Sequence, residues 1–163
     1  MKEYFKQFVD AVGILGVTSG DRSNLMTVAW MSPVSFDPPI VMVAISPKRF
    51  THNLLLEANE FTISLLADDQ QKLASKAGTI SGHDQDKMTM DIFETADGIK
   101  VKAPIIVGAR AVLECRMISH EPIGDHTAFF GEVVRVEVNE KKQPLVYFHR
   151  KYYTLGKYIA DYP

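Results

Sequence analysis

The sequence predicts a mostly antiparallel β protein, closed or nearly closed into a barrel, with two or three short helices. Three observations lead there. Alternating apolar and polar residues recur in runs of strand length. Helical periodicity is confined to short segments. The two longest alternating runs, residues 109–118 and 127–138, flank a segment rich in turn formers, so they make one long antiparallel hairpin. Strands of that length expose unpaired edges unless the sheet curls onto itself.

The elements follow in order. Residues 12–18 are short and apolar, and Ser19-Gly20-Asp21 closes them. Residues 25–31 form the second strand. Residues 40–45 are continuously apolar and rich in β-branched side chains, which predicts burial on both faces. Residues 51–58 carry Leu54, Leu55 and Ala58 at helical spacing, with Thr51 able to cap the start. Residues 61–66 alternate, with Phe61, Ile63 and Leu65 opposite Thr62 and Ser64. A second helix over 69–77 places Leu73, Ala74 and Ala77 on one face, capped by Asp68 or Asp69 and stopped by Gly78. In 109–118, Arg110, Glu114 and Arg116 alternate with Ala111, Leu113, Cys115 and Met117. In 127–138, Val134, Val136 and Val138 oppose Arg135 and Glu137.

Composition narrows the function. The 163 residues suit one domain over 1–163, large enough to bury a core without a staple. A formal net charge of -2 argues against a general nucleic-acid binder, so any phosphate site must be local. The lone Cys115 cannot form an intrachain disulfide, reads as a small buried hydrophobe, and fits a reducing cytosol. The first ten residues lack the continuous apolar core of a signal peptide, and no apolar run is long enough to cross a bilayer. His52, His83, His120, His126 and His149 show no zinc spacing. There is no P-loop, no GxGxxG after a strand and no GxSxG.

Five segments can carry chemistry. Asn24 to Trp30 sets small polar residues beside the only tryptophan. A flat ring with a polar edge needs backbone N–H and C=O groups and small side chains such as Thr27 and Ala29, although the same residues also make an ordinary half-buried strand. Ser46, Lys48, Arg49 and Thr51 join hydroxyls and charge to a helix start, which is either an anion site or a capped helix with solvated cations. Ser81, Gly82 and Lys87 lie in a glycine-flexible loop that can form an anion nest or a plain surface loop. His126 stands where a turn becomes a strand, bordering a pocket or satisfied by Asp125. The aromatic and basic segment 147–158 is either a partner-binding arm, part of a shared pocket, or a tail packed on its own barrel.

Taken in order, N-x-x-T-x-A-W, S-F-D-P-P, S-x-x-R-x-T before a helix, S-G-x-x-x-D-K and G-D-H-x-x-F-x-G-E-V resemble the flavin reductase-like, FMN-binding split-barrel family, especially its flavoredoxin and ferric-reductase-like branch. The resemblance spans residues 12–157. It implies an antiparallel Greek-key split β-barrel, a homodimer, and one FMN per subunit near the dimer interface. It implies that Thr27, Val28, Ala29 and Trp30 line the isoalloxazine. Ser46, Arg49 and Thr51, with Lys48, would hold phosphate or ribityl oxygens, Ser81, Gly82 and Lys87 would complete the phosphate site, and Asn24, on the ring-binding strand, would also touch the cofactor. His126 would lie close to the ring or to the nicotinamide. The implied activity is reduction of flavin by NADH or NADPH, with electrons passed to free flavin, a ferric chelate or a redox protein. An FMN-binding electron carrier without nicotinamide turnover is the alternative. A scaffolding barrel or an oligonucleotide-binding barrel stands further off, the latter disfavoured by charge.

Overall fold

The computed structural model describes residues 3–162. Its strands are β1 (Asp10–Ala11), β2 (Gly13–Ser19), β3 (Arg22–Val28), β4 (Met31–Phe36), β5 (Pro39–Ile45), β6 (Glu60–Leu65), β7 (Thr95–Asp97), β8 (Pro104–Ile106), β9 (Ala111–Ile123), β10 (His126–Val138), β11 (Val146–Phe148) and β12 (Lys151–Tyr153). Two α-helices, α1 (Phe50–Glu57) and α2 (Gln71–Thr79), are joined by short 3-10 turns elsewhere.

Seven strands form one antiparallel sheet in the order β3-β2-β6-β9-β10-β5-β4. The ends of that order, β3 and β4, are consecutive in sequence but not paired with each other. The sheet is therefore open at one seam, and the predicted split barrel is the fold. The long hairpin is also present: β9 and β10 pair from His126↔Ile123 to Val138↔Ala111. Its turn is only Gly124-Asp125, with Gly124 at φ +61°, a left-handed position that glycine takes without a Cβ clash. Residues 119–123, expected in the turn, extend β9 instead, because each finds a ladder partner on β10.

Two apolar clusters fill the molecule. Leu15, Val17, Val43, Ile45, Phe61, Ile63, Cys115 and Phe129 meet inside the barrel, where Leu54 and Leu55 of α1 plug one end. Ile14, Leu25, Leu66, Ala74, Ala77, Phe93 and Ile106 pack on the outer face of β2 and β3, beneath α2. The strand covered on both faces is thus β2. For β5 the expectation was wrong: it alternates between buried and half-buried positions, since nothing covers its outer face as α2 covers β2.

Other local expectations need correction. The strand expected over 25–31 ends at Val28, and Met31 opens β4, because the chain must cross the seam at Ala29-Trp30. Thr62 and Ser64 lie opposite the apolar face as the alternation predicts, and that face is buried too: Thr62 Oγ1 donates to Pro104 O, and Ser64 Oγ accepts from the Ile106 N–H. Glu114 is fully buried, accepting from the backbone N–H groups of Lys100 and Val101 and from Arg135 Nη1 at 3.0 Å. Thr51 does not cap α1; Arg49 occupies that position, and Thr51 is buried within the first turn. Asp68 and Asp69 lie in a 3-10 turn ahead of α2. There Gln70 Oε1 accepts from the Ala67 N–H, and Gly78 sits inside the helix, facing Thr27. Cys115 is buried as expected, and burial followed by the nearby Glu114 charge pushes its thiol up to about 12.

Candidate functional site

The seam is held by two backbone bonds. The Met31 N–H donates to Ala29 O at 2.9 Å, and the Ala44 N–H donates to Trp30 O at 2.9 Å. The crossover is thereby pinned to the end of β5. A cavity of about 940 Å³ opens beside it. One wall is the end of β3 with the crossover, Met26 to Trp30. A second is Ala44, Ile45 and Ser46 with Lys48 and Arg49 of the loop that follows. The third is α2, through Ala74, Ser75, Gly78 and Thr79. His126 and the β11–β12 hairpin, through Tyr147, Arg150 and Tyr152, border the remainder.

A second cavity of about 80 Å³ adjoins the first and shares Met26, Lys48, Arg49, Gly78 and Thr79 with it. Its other walls include Asn24, Thr51, Ser81, Gly82 and Lys87. Asn24 Nδ2 donates to Thr51 Oγ1 at 2.8 Å, tying β3 to α1. Lys87 is the unusual group. It is 2% exposed, and its Nζ donates to Leu25 O at 2.6 Å and Ala77 O at 3.2 Å. An ammonium has three donors, so one remains. Burial, then the charge of Arg49, lowers its pKa from 10.5 to about 8. Two cations that repel each other across a small polar recess make a site for an anion.

Among the described residues, neither cavity is lined by an aspartate or a glutamate. In a chain of net charge -2, that sorting of charge leaves a local positive potential where Lys48 and Arg49 meet Lys87 in the smaller cavity, with Arg150 on the wall of the larger.

The residues singled out from the sequence come together here. Thr27, Val28, Ala29, Trp30, Ser46 and His126 line the larger cavity; Asn24, Thr51, Ser81, Gly82 and Lys87 line the smaller; Lys48 and Arg49 line both. Some polar side chains are not free. Thr27 Oγ1 donates to Ala74 O at 2.5 Å, so it fastens α2 to β3. Ser81 Oγ accepts from the His83 N–H. His126 Nδ1 lies 2.7 Å from Asp125 Oδ1, and its ring stands 4.6 Å from Trp30, leaving Nε2 as the unpaired nitrogen. The bond to His126 holds the Asp125 carboxyl below its ordinary value. Trp30 is 42% exposed: it borders the cavity rather than filling the core.

Sequence reasoning missed the α2 wall. The signal was the small-residue run Ala74, Ser75, Gly78, which lets a helix approach a strand closely. It left open whether the tail joined a pocket, and Tyr147, Arg150 and Tyr152 do.

Comparison with known proteins bears on the family and the fold. The flavin reductase like domain matches residues 5–156. A reductase component of 4-hydroxyphenylacetate 3-monooxygenase from Thermus thermophilus is 33% identical over 156 residues, covering 93% of this chain and 95% of that protein. An FMN-binding protein from Thermus thermophilus, solved with p-hydroxybenzaldehyde, superposes with a TM-score of 0.90 at 30% identity, over 99% of this chain and 95% of its own. An NADH:FAD oxidoreductase from Streptomyces globisporus, solved with NAD and FAD fragments, gives a TM-score of 0.87 at 26% identity, over 95% and 90%.

Proposed function

The chain belongs to the flavin reductase-like family, and on that premise we propose that it is an FMN-binding oxidoreductase that takes electrons from NADH or NADPH and passes them to free flavin, a ferric chelate or a redox protein. The observation that carries this reading is the pair of adjoining cavities. One is large, with a strand edge and apolar walls; the other is small, with cationic walls and no acid among its described lining residues. A tricyclic ring with a phosphate tail fits that pair in size and in charge.

Bound FMN would supply the two-electron redox chemistry between a reduced nicotinamide and the acceptor. The chain's own residues bind and orient. The backbone of residues 27–30 offers N–H and C=O groups to the polar edge of the ring, and Trp30 flanks it. Ser46 and Thr51 face the ribityl and phosphate oxygens. Arg49 and Lys87, with Lys48, Ser81, Gly82 and Asn24 around them, hold the phosphate; the anion gives Lys87 a partner for its remaining donor. His126, fixed through Nδ1 by Asp125, presents Nε2 toward the ring or the nicotinamide.

We read residues 1–163 as one such domain acting as a homodimer. The apolar side chains of edge strand β4, Val34 and Phe36, are 50% and 99% exposed, which supports a second copy packing there. No helix among the described residues is long and apolar enough to cross a membrane, and a cytoplasmic enzyme is the proposed setting.

Anaerobic mixing of the FMN-loaded protein with NADH and with NADPH tests the reading. Loss of the flavin's visible absorbance with at least one of them is expected. If neither bleaches the flavin while dithionite does, the protein is an electron carrier and the reductase reading is wrong.

A further inference from the structure

The β11–β12 hairpin brings three side chains, Tyr147, Arg150 and Tyr152, to the large cavity. Tyr147 and Tyr152 are directly opposed in register, their rings 6.0 Å apart at 57°, and both line it. Arg150 lines it as well, but does not reach the small cationic recess. No hydrogen bond or ion pair holds the Arg150 guanidinium among the described residues, and no acid lines the cavity to neutralise it.

The backbone there is unusual. His149 and Arg150 form the two-residue turn with φ of 49° and 62°. Glycine or asparagine takes this left-handed conformation easily; an arginine takes it only against a steric clash of its Cβ. Arg150 is exposed, lines the cavity from a left-handed turn and has no side-chain partner among the described residues, so its charge is free to take a ligand.

The cavity also lies at the upper end of the size range for small-molecule sites, so it has room for a second planar group beside one tricyclic ring. The single phosphate of FMN is accounted for by Arg49 and Lys87. A separate cationic side chain on the same hairpin as two aromatic rings that line the cavity then fits a second ligand in which planar groups are joined by phosphate.

We propose that the β11–β12 hairpin is the docking site for the pyrophosphate of the nicotinamide dinucleotide, with Arg150 as its anion-binding side chain, so that the hairpin selects the dinucleotide over phosphate-free nicotinamide riboside. The proposal rests on the reductase reading for its ligand. Binding and turnover separate the two.

The test uses FMN-loaded protein, wild type and Arg150→Asn; asparagine removes the charge and keeps the left-handed turn. Retained FMN binding reports an intact fold. Calorimetric titration with NAD+ and with nicotinamide riboside is expected to show a preference for NAD+ that falls roughly ten- to hundred-fold in Arg150→Asn, the scale of a charge-assisted bond. In turnover, the ratio of kcat/KM for NADH to that for reduced nicotinamide riboside falls by the same factor, through KM. Arg150→Lys recovers part of it. An unchanged NAD+ preference, or equal losses for NAD+ and the riboside, overturns the proposal. So does a variant that weakens FAD relative to FMN while leaving the NAD+ preference intact, since Arg150 would then read a flavin's pyrophosphate. Wild-type protein that prefers NAD+ through Arg150 but never reduces its flavin removes the reductase reading and leaves the hairpin assignment standing.

Discussion

Lys87 is where burial and charge act most strongly on ligand binding. With its pKa lowered to about 8 by burial and by Arg49, it is charged below that pH and neutral above it. A bound phosphate favours the charged form and raises the pKa again. FMN affinity relative to riboflavin is therefore highest below about pH 8 and declines as pH rises past it. Fluorescence titrations with both flavins from about pH 7 to about pH 9.5 check this; a ratio independent of pH would place the phosphate away from Lys87. In the free protein the sign is opposite. The fold disfavours the charged lysine, so this group costs stability below pH 8 and the cost is relieved as pH rises toward 10.5. Glu114 shows the carboxylate counterpart. Burial alone would raise it, but the N–H groups of Lys100, Ile99 and Val101, with Arg135, hold it below its ordinary value. Its contribution is present at neutral pH and is lost as pH falls through the carboxylate range. Glu114→Ala leaves those N–H donors without an acceptor and Arg135 with Glu137 alone, and is expected to cost about 3 kcal/mol, or roughly 6–12 °C in Tm by calorimetry.

At the scale of elements, the β9–β10 ladder shifts register at Phe130/Gly131, and a Cβ on Gly131 would stand 2.6 Å from Phe61 Cζ and 2.9 Å from Cys115 Cβ. Phe61 is fully buried and cannot swing away. Gly131→Ala is expected to lower stability by about 1–3 kcal/mol in urea unfolding, with the slope m unchanged. The barrel itself was legible in the sequence because the long runs 109–118 and 127–138 alternate cleanly, and because Gly-Asp marks their turn. Strand β4 was not: Ser32, Pro33 and Ser35 interrupt its apolar pattern, and an edge strand with one partner has no need of a regular one. Burial of Glu114 was hidden for a different reason. Its partners come from residues 100–101, a loop with no periodicity to read. The site residues were legible as short polar clusters. Their pairing was not, since Asn24 meets Thr51, and Thr27 meets α2, only once the chain has folded.

At the scale of the whole molecule, segments near residues 24–30, 46–51, 74–87, 126 and 147–152 converge on one seam between β3 and β4. The barrel is left open where it must take a ligand, and cations outnumber acids there, Asp125 standing behind His126. The proposed homodimer would cover the exposed edge of β4. Sedimentation equilibrium is expected to give twice the chain mass, and Phe36→Glu, at a residue 99% exposed in the single chain, to shift the protein to monomer; a variant that stays dimeric would place the interface elsewhere. The central claim is that a phosphate tail lies between Arg49 and Lys87 while a ring lies along β3. The dissociation constants of FMN and riboflavin, measured for wild type, Arg49→Ala and the Arg49→Ala/Lys87→Ala double variant, test it most directly. The account predicts roughly tenfold or greater weakening of FMN per lost charge, with a far smaller change for riboflavin; equal weakening of both flavins would contradict it.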